Sequence, residues 1–252
     1  MILPRHILIT GASSGLGAAL ALEYAASGIC LSLHGRDKER LERIAIWARK
    51  KGAQVTTYIG DVTDAGDMAA WITTCDGALP LDLVIANAGI SAGTSGGGES
   101  PDQARKIFAV NVGGVFNTVQ PALLLMTKRG QGQIAIVSSL AGFRGMPGAP
   151  AYCTSKAAVR VYGEGLRPEA ARSNVAINVI CPGFVKTPMT DVNKFRMPFL
   201  IPVERAAQII RAGLAANRAR IAFPFPMYAL VRLLTALPQP VADFIAARTP
   251  RK

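Results

Sequence analysis

The sequence has few residues of the kinds that build metal centres or disulfide frameworks. Only two histidines, His6 and His34, occur in 252 residues, and they are too few and too badly placed for a catalytic pair. The four cysteines show no CxxC pair or other metal-ligand spacing; they are Cys30, Cys75, Cys153 and Cys181. We therefore expect no metal site and no structural disulfide. Unpaired thiols and the absence of a targeting peptide favour a reducing cytoplasm.

Aromatic residues make up only 6% of the chain, and 16 acidic residues face 28 Lys and Arg. The resulting net charge of +12 favours anionic partners such as phosphate, nucleic acid or an anionic membrane surface. From Val192 to Lys252, ten basic residues face two acidic ones, so this part contributes 10 − 2 = +8. Because no nucleic-acid-binding motif accompanies the charge and aromatics are few, we expect no nucleic-acid partner.

Apolar segments alternate with amphipathic ones along the whole chain. Short β-branched segments predict strands at Ile7–Thr10, Ile29–Leu33, Val55–Ile59, Leu83–Asn87, Gln133–Ser138, Val175–Ile180 and Arg220–Phe223. Helices are predicted between them, near 15–27, 37–50, 64–75, 101–128, 151–172 and 203–217. Strands that are apolar throughout should be buried on both faces. The sequence thus predicts an α/β fold with one doubly wound, Rossmann-like parallel sheet of about seven strands and helices on both faces.

No repeat or linker interrupts this alternation, so we expect residues 1–252 to form a single Rossmann-type dinucleotide-binding and catalytic domain. Residues 188–222 should supply a substrate lid with the last helix and strand. Residues 223–252 should form a basic, apolar C-terminal extension. Its prolines divide it into two short helices, near Met227–Leu237 and Val241–Arg248. Neither reaches the roughly 20 residues that span a bilayer.

The segment TGASSGLG follows the first predicted strand and opens the first predicted helix. Glycines at such a turn let the backbone approach a pyrophosphate, which then lies at the helix N-terminus. An ordinary strand–helix turn is the alternative, but the position after the first strand favours a dinucleotide site. The predicted cofactor-binding residues here are Gly11, Ser13, Ser14, Gly15, Leu16 and Gly17.

The end of the second strand, His34-Gly35-Arg36-Asp37, should decide which cofactor binds. An acidic residue there would bind the ribose 2′-hydroxyl of NAD and repel a 2′-phosphate. Gly35 has no carboxylate, and Arg36 offers a planar cation for a phosphate or for stacking on adenine. Alternatively, Arg36 is a solvated loop residue and Asp37 caps the next helix. We predict NADP as the cofactor, with NAD as the less favoured alternative.

Tyr152 and Lys156 are four residues apart, so on a helix they project from the same face. Ser139 lies thirteen residues before Tyr152, at the end of a predicted strand. A hydroxyl, a phenol and an ammonium beside a glycine-rich phosphate turn indicate nicotinamide-dependent carbonyl chemistry.

Together these motifs resemble the short-chain dehydrogenase/reductase family, in the common branch whose length this chain matches. The resemblance extends from about Leu3 to Met189. Asp61-Val62, Asn87-Ala88-Gly89, Asn111 and Pro182-Gly183 with Val185 and Thr187 also match, although Ala86 stands where the family has an asparagine.

The resemblance implies a catalytic set made of Asn111, Ser139, Tyr152 and Lys156. Tyr152 would be the general acid in reduction and the base in oxidation, with its pKa lowered by Lys156 and by the positive nicotinamide. Ser139 would bind the carbonyl oxygen, and Lys156 would hold the nicotinamide ribose. Asn111 would anchor a water that relays protons, or would simply cap a kink.

The same resemblance implies further cofactor contacts and an oligomer. Beyond the glycine-rich turn and Arg36, the implied cofactor-binding residues are Asp61, Val62, Asn87, Ala88, Gly89, Tyr152, Lys156, Pro182, Gly183, Val185 and Thr187. The last two would fix the carboxamide. The family commonly forms dimers and tetramers through the helices around Asn111 and Tyr152, so a homodimer or homotetramer is expected.

The predicted function is therefore NADP(H)-dependent oxidoreduction of a carbonyl compound or secondary alcohol; the alternatives are an NAD(H) enzyme of the same type and a non-enzymatic NADP-binding regulatory protein. The apolar segment after Thr187 suggests a medium or large apolar, lipid-like substrate, unless its side chains only pack the lid. The extension, with Arg232, Arg248, Arg251 and Lys252, suggests peripheral contact with the inner face of an anionic membrane. Packing of the extension on a neighbouring subunit is the competing interpretation, and it is the favoured one.

Overall fold

The computed structural model describes residues 4–91, 99–193 and 195–246. Several basic residues counted above lie outside these ranges; they are Lys194, Arg248, Arg251 and Lys252.

Seven parallel strands form one sheet in the order β3-β2-β1-β4-β5-β6-β7. The strands are His6–Ile9 (β1), Cys30–Gly35 (β2), Gln54–Ile59 (β3), Leu83–Ala86 (β4), Gly132–Val137 (β5), Val175–Pro182 (β6) and Arg220–Phe223 (β7). From β1 the chain adds β2 and β3 on one side of the sheet and then β4 to β7 on the other, which is the doubly wound arrangement. This confirms the predicted fold class, and it places a crevice at the carboxyl ends of β1 and β4.

Helices connect the strands. They are Gly15–Tyr24 (α1), Lys38–Lys50 (α2), Ala65–Ala78 (α3), Pro101–Phe108 (α4), Gly114–Arg129 (α5), Pro150–Ala171 (α6), Pro188–Asp191 (α7), Val203–Ala215 (α8), Phe225–Ala236 (α9) and Gln239–Ala246 (α10). A π-helical turn, Ala109–Gly113, joins α4 to α5, and a 3₁₀ turn, Leu140–Phe143, follows β5.

The sheet is covered on both faces because its strands alternate their side chains between two buried clusters. Ile7 and Ile9 of β1 pack with the cluster of α1, α2 and α8, whereas Leu8 packs with that of α3, α5 and α6. These strand residues are fully buried. Burial on both faces explains why the central strands β1, β4 and β5 are largely apolar, as parallel strands between helices require. The edge strand β3 is partly exposed and carries polar residues.

The helical run Pro101–Arg129 is long and apolar enough, by length and composition alone, to cross a membrane. Val115, Val119 and Met126 on this run are buried in the cluster beneath the sheet. The run therefore behaves as a core helix of the α/β fold.

The sequence-based boundaries differ from the structure mainly at turns and at prolines. The helix predicted near Met227–Leu237 begins two residues earlier, at Phe225, with Pro226 in its first turn. Proline lacks only an N–H that has no partner in a first helical turn, so it begins a helix without breaking it. The π turn, the 3₁₀ turn and α7 were not predicted, since they are too short to produce a periodic pattern.

Candidate active site

The glycine-rich turn between β1 and α1 has the backbone geometry of an anion site. Gly11 and Gly15 adopt φ angles of 67° and 54°, in the left-handed region that favours glycine. A Cβ on Gly17 would lie 2.3 Å from the Gly11 carbonyl oxygen, so only glycine fits there. The N-cap residue Ser14 makes no side-chain capping bond to the first turn of α1. The amides of that turn are therefore available for a phosphate, which the helix N-terminus favours.

A cleft of about 430 Å³ runs along the carboxyl ends of the strands from this turn to α6. It is lined by every predicted site residue except Gly17, which lies beneath the turn, and Asn111, which is fully buried. The strands bring these residues together because parallel strands end at one edge of the sheet.

Thr10 and Asn87 join the two loops that form the centre of the cleft. The Thr10 hydroxyl accepts hydrogen bonds from the amides of Asn87 and Ala88, at 3.0 and 3.1 Å. The Asn87 side chain donates in return to the carbonyls of Thr10 and Gly11, at 2.9 and 3.3 Å. Asn87 thus holds the turn after β1 against the loop after β4.

Ser139, Tyr152 and Lys156 face one end of the cleft. Ser139 Oγ donates to the Pro182 carbonyl at 3.3 Å and accepts from the Ala141 amide at 3.1 Å. The Tyr152 phenol is hydrogen-bonded to the Ser139 side chain. Lys156 Nζ donates to the Val137 carbonyl at 3.0 Å and lies 5.9 Å from the centroid of the Tyr152 ring. A hydroxyl, a phenol and an amine therefore share one small, partly enclosed space.

Burial shifts both of the ionisable groups toward their neutral forms. It raises the pKa of Tyr152 to about 12, although the hydrogen bond between Tyr152 and Ser139 offsets part of the rise. It lowers the pKa of Lys156 to about 8. The family resemblance implied a lowered pKa for the Tyr152 phenol. In the protein without cofactor the pKa of Tyr152 is raised instead, because the effect of desolvation is larger than that of the hydrogen bond with Ser139.

Asn111 lies in the π turn between α4 and α5, behind the cleft. Its Oδ1 accepts from the Ile90 amide at 2.8 Å, and its Nδ2 donates to the Ile90 carbonyl and to Ser155 Oγ at 2.9 and 3.0 Å. The side chain thus ties the loop after β4 to α6. A π turn also releases main-chain carbonyls from the regular helical pattern.

The far end of the cleft is cationic, at the start of α2. Arg36 and Arg40 both line it, and Arg36 Nη1 lies 3.9 Å from Asp61 Oδ2. The Asp37 carboxylate accepts from the Arg40 amide at 3.0 Å and pairs with Arg40 Nε at 3.1 Å. Asp37 is thus the N-cap of α2, as one reading of the sequence held. His34 lines the same end, and neither ring nitrogen has a hydrogen-bond partner among the described residues.

Sequence reasoning missed several residues of the cleft. Arg40 is the most consequential, and its four-residue spacing from Arg36 across the start of a predicted helix could have revealed it. Others lining the cleft are Asp37, Ile90, Val110, Val137, Ser138, Pro188, Met189 and Thr190. Ser138 donates to the Lys156 carbonyl at 2.7 Å and so braces α6.

All four cysteines are free, and the described residues contain no group of three or more His, Cys, Asp or Glu that could hold a metal ion.

A profile of the short chain dehydrogenase family matches residues 5–196. The chain belongs to the short-chain dehydrogenase family. It is 37% identical over 245 residues to an uncharacterized oxidoreductase of Myxococcus xanthus, covering 97% of each chain. It is 35% identical over 193 residues to 2-(R)-hydroxypropyl-CoM dehydrogenase of Xanthobacter autotrophicus, covering 74% of this chain and 77% of the relative.

Solved short-chain dehydrogenases share the fold over almost the whole chain. The enzyme of Burkholderia phymatum, in complex with NAD, superposes with a TM-score of 0.83 at 25% identity, covering 98% of this chain and 96% of the other. That of Sphingobium yanoikuyae, in complex with NADPH, gives 0.81 at 24% identity, covering 98% and 97%. The chain thus has the fold of an oxidoreductase family, two solved members of which hold NAD or NADPH.

Proposed function

We propose that the protein is an NADP(H)-dependent oxidoreductase that interconverts a carbonyl compound and a secondary alcohol. The observation that carries the proposal is the convergence of Ser139, Tyr152 and Lys156 at one end of a cleft whose other end is an anion-binding turn. A hydroxyl beside a phenol can bind one oxygen atom and transfer one proton to it. Proton transfer to a substrate oxygen therefore explains why the Tyr152 phenol and the Lys156 amine lie close together in the cleft.

The cleft fits a dinucleotide. The turn after β1 would hold the pyrophosphate, with Leu16 lining the cleft beside it, and Asp61 and Val62 would flank adenine. Asn87, Ala88, Gly89, Pro182 and Gly183 would border the path to the nicotinamide. Thr187 is held by Thr190, whose Oγ1 lies 3.3 Å from Thr187 Oγ1 and donates to the Val185 carbonyl at 2.7 Å. Val185 and Thr187 would fix the carboxamide.

The cofactor, when bound, supplies or accepts the hydride. Ser139 Oγ would donate to the substrate oxygen and orient the carbonyl. Tyr152 Oη would give its proton to that oxygen in reduction and take it back in oxidation. Lys156 would bind the ribose and, when protonated, stabilise phenolate. We propose that Asn111 serves the proton path through the π turn, where a main-chain carbonyl can hold a water, because its side chain is already bonded to Ile90 and Ser155.

NADP is the proposed cofactor because the end of β2 presents guanidinium groups and no unengaged carboxylate. Gly35 has no side chain, and a Cβ there would lie 3.1 Å from the Ser13 Cβ. Asp37 is engaged by the N-terminus of α2 and by Arg40, which weakens the case for NAD. Arg36 and Arg40 would bind a 2′-phosphate as charge-assisted donors. Dissociation constants for NADPH and NADH test this assignment.

An apolar substrate is proposed from the segment 188–222, which we take as the lid. Met189 lines the cleft, and Phe199 and Leu200 beyond it are exposed apolar side chains. Phe195 packs edge-on against Phe184, with ring centroids 5.9 Å apart. A surface of this kind suits a medium or large ketone or alcohol better than a sugar.

Turnover of a ketone panel tests the activity. Purified protein should oxidise NADPH faster than NADH with apolar ketones, and Tyr152→Phe should abolish the reaction. Tyr162→Phe, the same change on the same helix outside the cleft, is the matched control. NADPH binding without turnover of any ketone or alcohol would favour the non-enzymatic regulatory protein.

A homo-oligomer is proposed because α5 and α6 carry exposed apolar residues. Leu124 and Val161 are 71% and 57% exposed. Leu124→Glu should convert the oligomer to a monomer in analytical ultracentrifugation, whereas an unchanged sedimentation coefficient would exclude this face.

The C-terminal extension exposes Phe225, Leu230, Leu233 and Phe244 beside Arg232. We propose a cytoplasmic protein whose extension contacts either a second subunit or an anionic membrane. Flotation of full-length and truncated protein with anionic liposomes distinguishes these two contacts. Liposome binding that is lost on truncation favours membrane contact, whereas no binding by either protein favours packing on a second subunit.

A further inference from the structure

Helix α6, which carries Tyr152 and Lys156, begins without a cap of its own. Its N-cap residue is Ala149, whose side chain cannot accept a hydrogen bond, and its first residue, Pro150, has no N–H. The regular helical bonds begin only at Cys153, whose amide donates to the Ala149 carbonyl at 3.0 Å. The amides of Ala151 and Tyr152 therefore need an acceptor from elsewhere in the chain.

Glu99, about fifty residues upstream, supplies that acceptor. Its Oε2 accepts from the Ala151 amide at 2.5 Å and its Oε1 from the Tyr152 amide at 3.0 Å. One carboxylate thus satisfies both amides that the helix leaves open. A negative charge at this position also interacts favourably with the helix dipole.

The carboxylate belongs to the residue that directly precedes the N-cap of α4. Glu99 directly precedes Ser100, the N-cap of α4, whose Oγ accepts from the Gln103 amide at 3.2 Å. Farther along α4, Ile107 is fully buried in a small cluster with Ala151. Helices α4 and α6 are therefore joined twice, once by packing and once by the Glu99 bonds.

The second brace of the same helical turn lies at Lys156. The Ser138 hydroxyl donates to the Lys156 carbonyl at 2.7 Å. A Cβ on Gly142 would lie 2.7 Å from the Lys156 carbonyl carbon, so the 3₁₀ turn after β5 packs directly on this side of α6. The turn that carries the phenol and the amine is thus held at both ends, by Glu99 at Tyr152 and by Ser138 at Lys156.

We propose that Glu99 is a positioning residue for catalysis. It touches neither substrate nor cofactor in this assignment; it fixes the main chain of Tyr152 so that the phenol meets Ser139 and the substrate oxygen. The inference rests on the proposed function, in which Tyr152 transfers the proton. Displacement of a reacting group by about 1 Å can reduce the rate about 10²-fold, so loss of one brace should appear chiefly in kcat.

The test compares Glu99→Ala and Glu99→Gln with two controls in the same segment. Ser100→Ala removes the neighbouring cap on α4 and destabilises the fold without depriving α6 of an acceptor. Asp102→Asn removes a carboxylate from the first turn of α4, one that pairs with Arg105 at the surface. Each variant is assayed with the best ketone of the panel, and NADPH affinity and urea unfolding are measured alongside.

We expect kcat to fall about 10- to 100-fold in Glu99→Ala, with KM and the NADPH dissociation constant changed less than about threefold. Glu99→Gln keeps one acceptor oxygen, so its kcat should fall less than that of Glu99→Ala. The control variants should retain their kcat. A kcat of Glu99→Ala within a factor of two of wild type, or an equal loss in Ser100→Ala, would overturn the proposal.

Hydrogen–deuterium exchange separates this inference from the proposed activity. In Glu99→Ala, peptides that contain Ala151 and Tyr152 should exchange faster, whereas in Ser100→Ala they should not. If wild-type protein turns over no ketone, the activity proposal fails while this measurement still tests the brace. Unchanged exchange at Ala151 and Tyr152 would refute the role of Glu99 by itself.

Discussion

Replacing Arg36 and Arg40 with alanine should remove the proposed preference for NADPH without weakening NADH binding. Both guanidinium groups line the end of the cleft beyond β2, and no unengaged carboxylate lies between them, since Asp37 caps α2. A phosphate placed there would receive charge-assisted hydrogen bonds from both. NADH carries no group at that position, so its affinity should be insensitive to the change.

The size of the effect follows from the exposure of the two side chains. A hydrogen bond to a charged group contributes about 1.5–3 kcal/mol when it is well protected. Both arginine side chains are 58% exposed, so solvent and salt should reduce the contribution of each to about 1–2 kcal/mol. Since about 1.4 kcal/mol corresponds to tenfold, each single variant should weaken NADPH binding by roughly 5- to 30-fold. The two losses need not multiply, because neighbouring charges couple.

Fluorescence titration of the two cofactors at low and high salt measures this effect. Arg43→Ala is the matched control, since it removes the same charge from α2 at an exposed position outside the cleft. Wild-type affinity for NADPH should fall with salt, and that of the double variant should be nearly flat. Equal loss of NADPH and NADH affinity would refute phosphate recognition and favour stacking on adenine. The variant Arg36→Lys distinguishes these two roles of Arg36, because lysine keeps the positive charge for a phosphate but lacks the planar group that stacks on adenine.

Three further predictions concern the catalytic pair and the phosphate turn. Tyr152→Phe should lower kcat at least about 10²-fold with unchanged NADPH affinity, because general acid–base catalysis contributes roughly 10²–10⁴-fold; an active variant in stopped-flow assays would exclude the phenol as the acid. Because burial lowers the pKa of Lys156 to about 8, stability of the cofactor-free protein should rise from pH 8 toward the unfolded pKa near 10.5, and Lys156→Met should lack this slope in urea titrations. Parallel pH curves for the two proteins would contradict a neutral buried amine. Gly17→Ala should destabilise the fold by about 1–3 kcal/mol or more through its backbone clash, whereas Gly77→Ala, with open space around its Cβ, should stabilise α3 by roughly 0.5–1 kcal/mol. Equal unfolding midpoints for these two variants would argue against the close approach at Gly17.

The centre of the sheet could be predicted from the sequence because its central strands are buried on both faces. Segments such as that of β1 are apolar throughout, and glycines or polar residues mark their ends. Helix starts at prolines were harder to place, as α9 illustrates, because a proline terminates a helix or begins one depending on position. The π turn at Asn111 leaves no pattern of its own inside a continuous apolar helix.

Cleft residues could be predicted where a sequence motif with a fixed spacing identifies them. Residues that reach the site through contacts between distant segments could not. Arg36 was recognised from its neighbours, whereas Arg40 enters the cleft only because α2 begins at Lys38. No sequence pattern indicated the role of Glu99, because the two amides that it binds lie more than fifty residues away. A single sequence records local spacing, and contacts between distant segments require the fold.

The pKa values of Tyr152 and Lys156 differ from those that the proposed proton transfer needs. Burial favours a neutral phenol in Tyr152 and a neutral amine in Lys156, since their pKa values are about 12 and about 8. Proton transfer near neutral pH requires a phenol that ionises more easily than this. A positive charge bound beside the phenol would lower its pKa, and a ribose hydroxyl beside Lys156 would replace part of its lost hydration. Because a ligand that shifts a pKa must bind with a matching pH dependence, the proposed mechanism predicts that activation of Tyr152 and cofactor affinity are coupled.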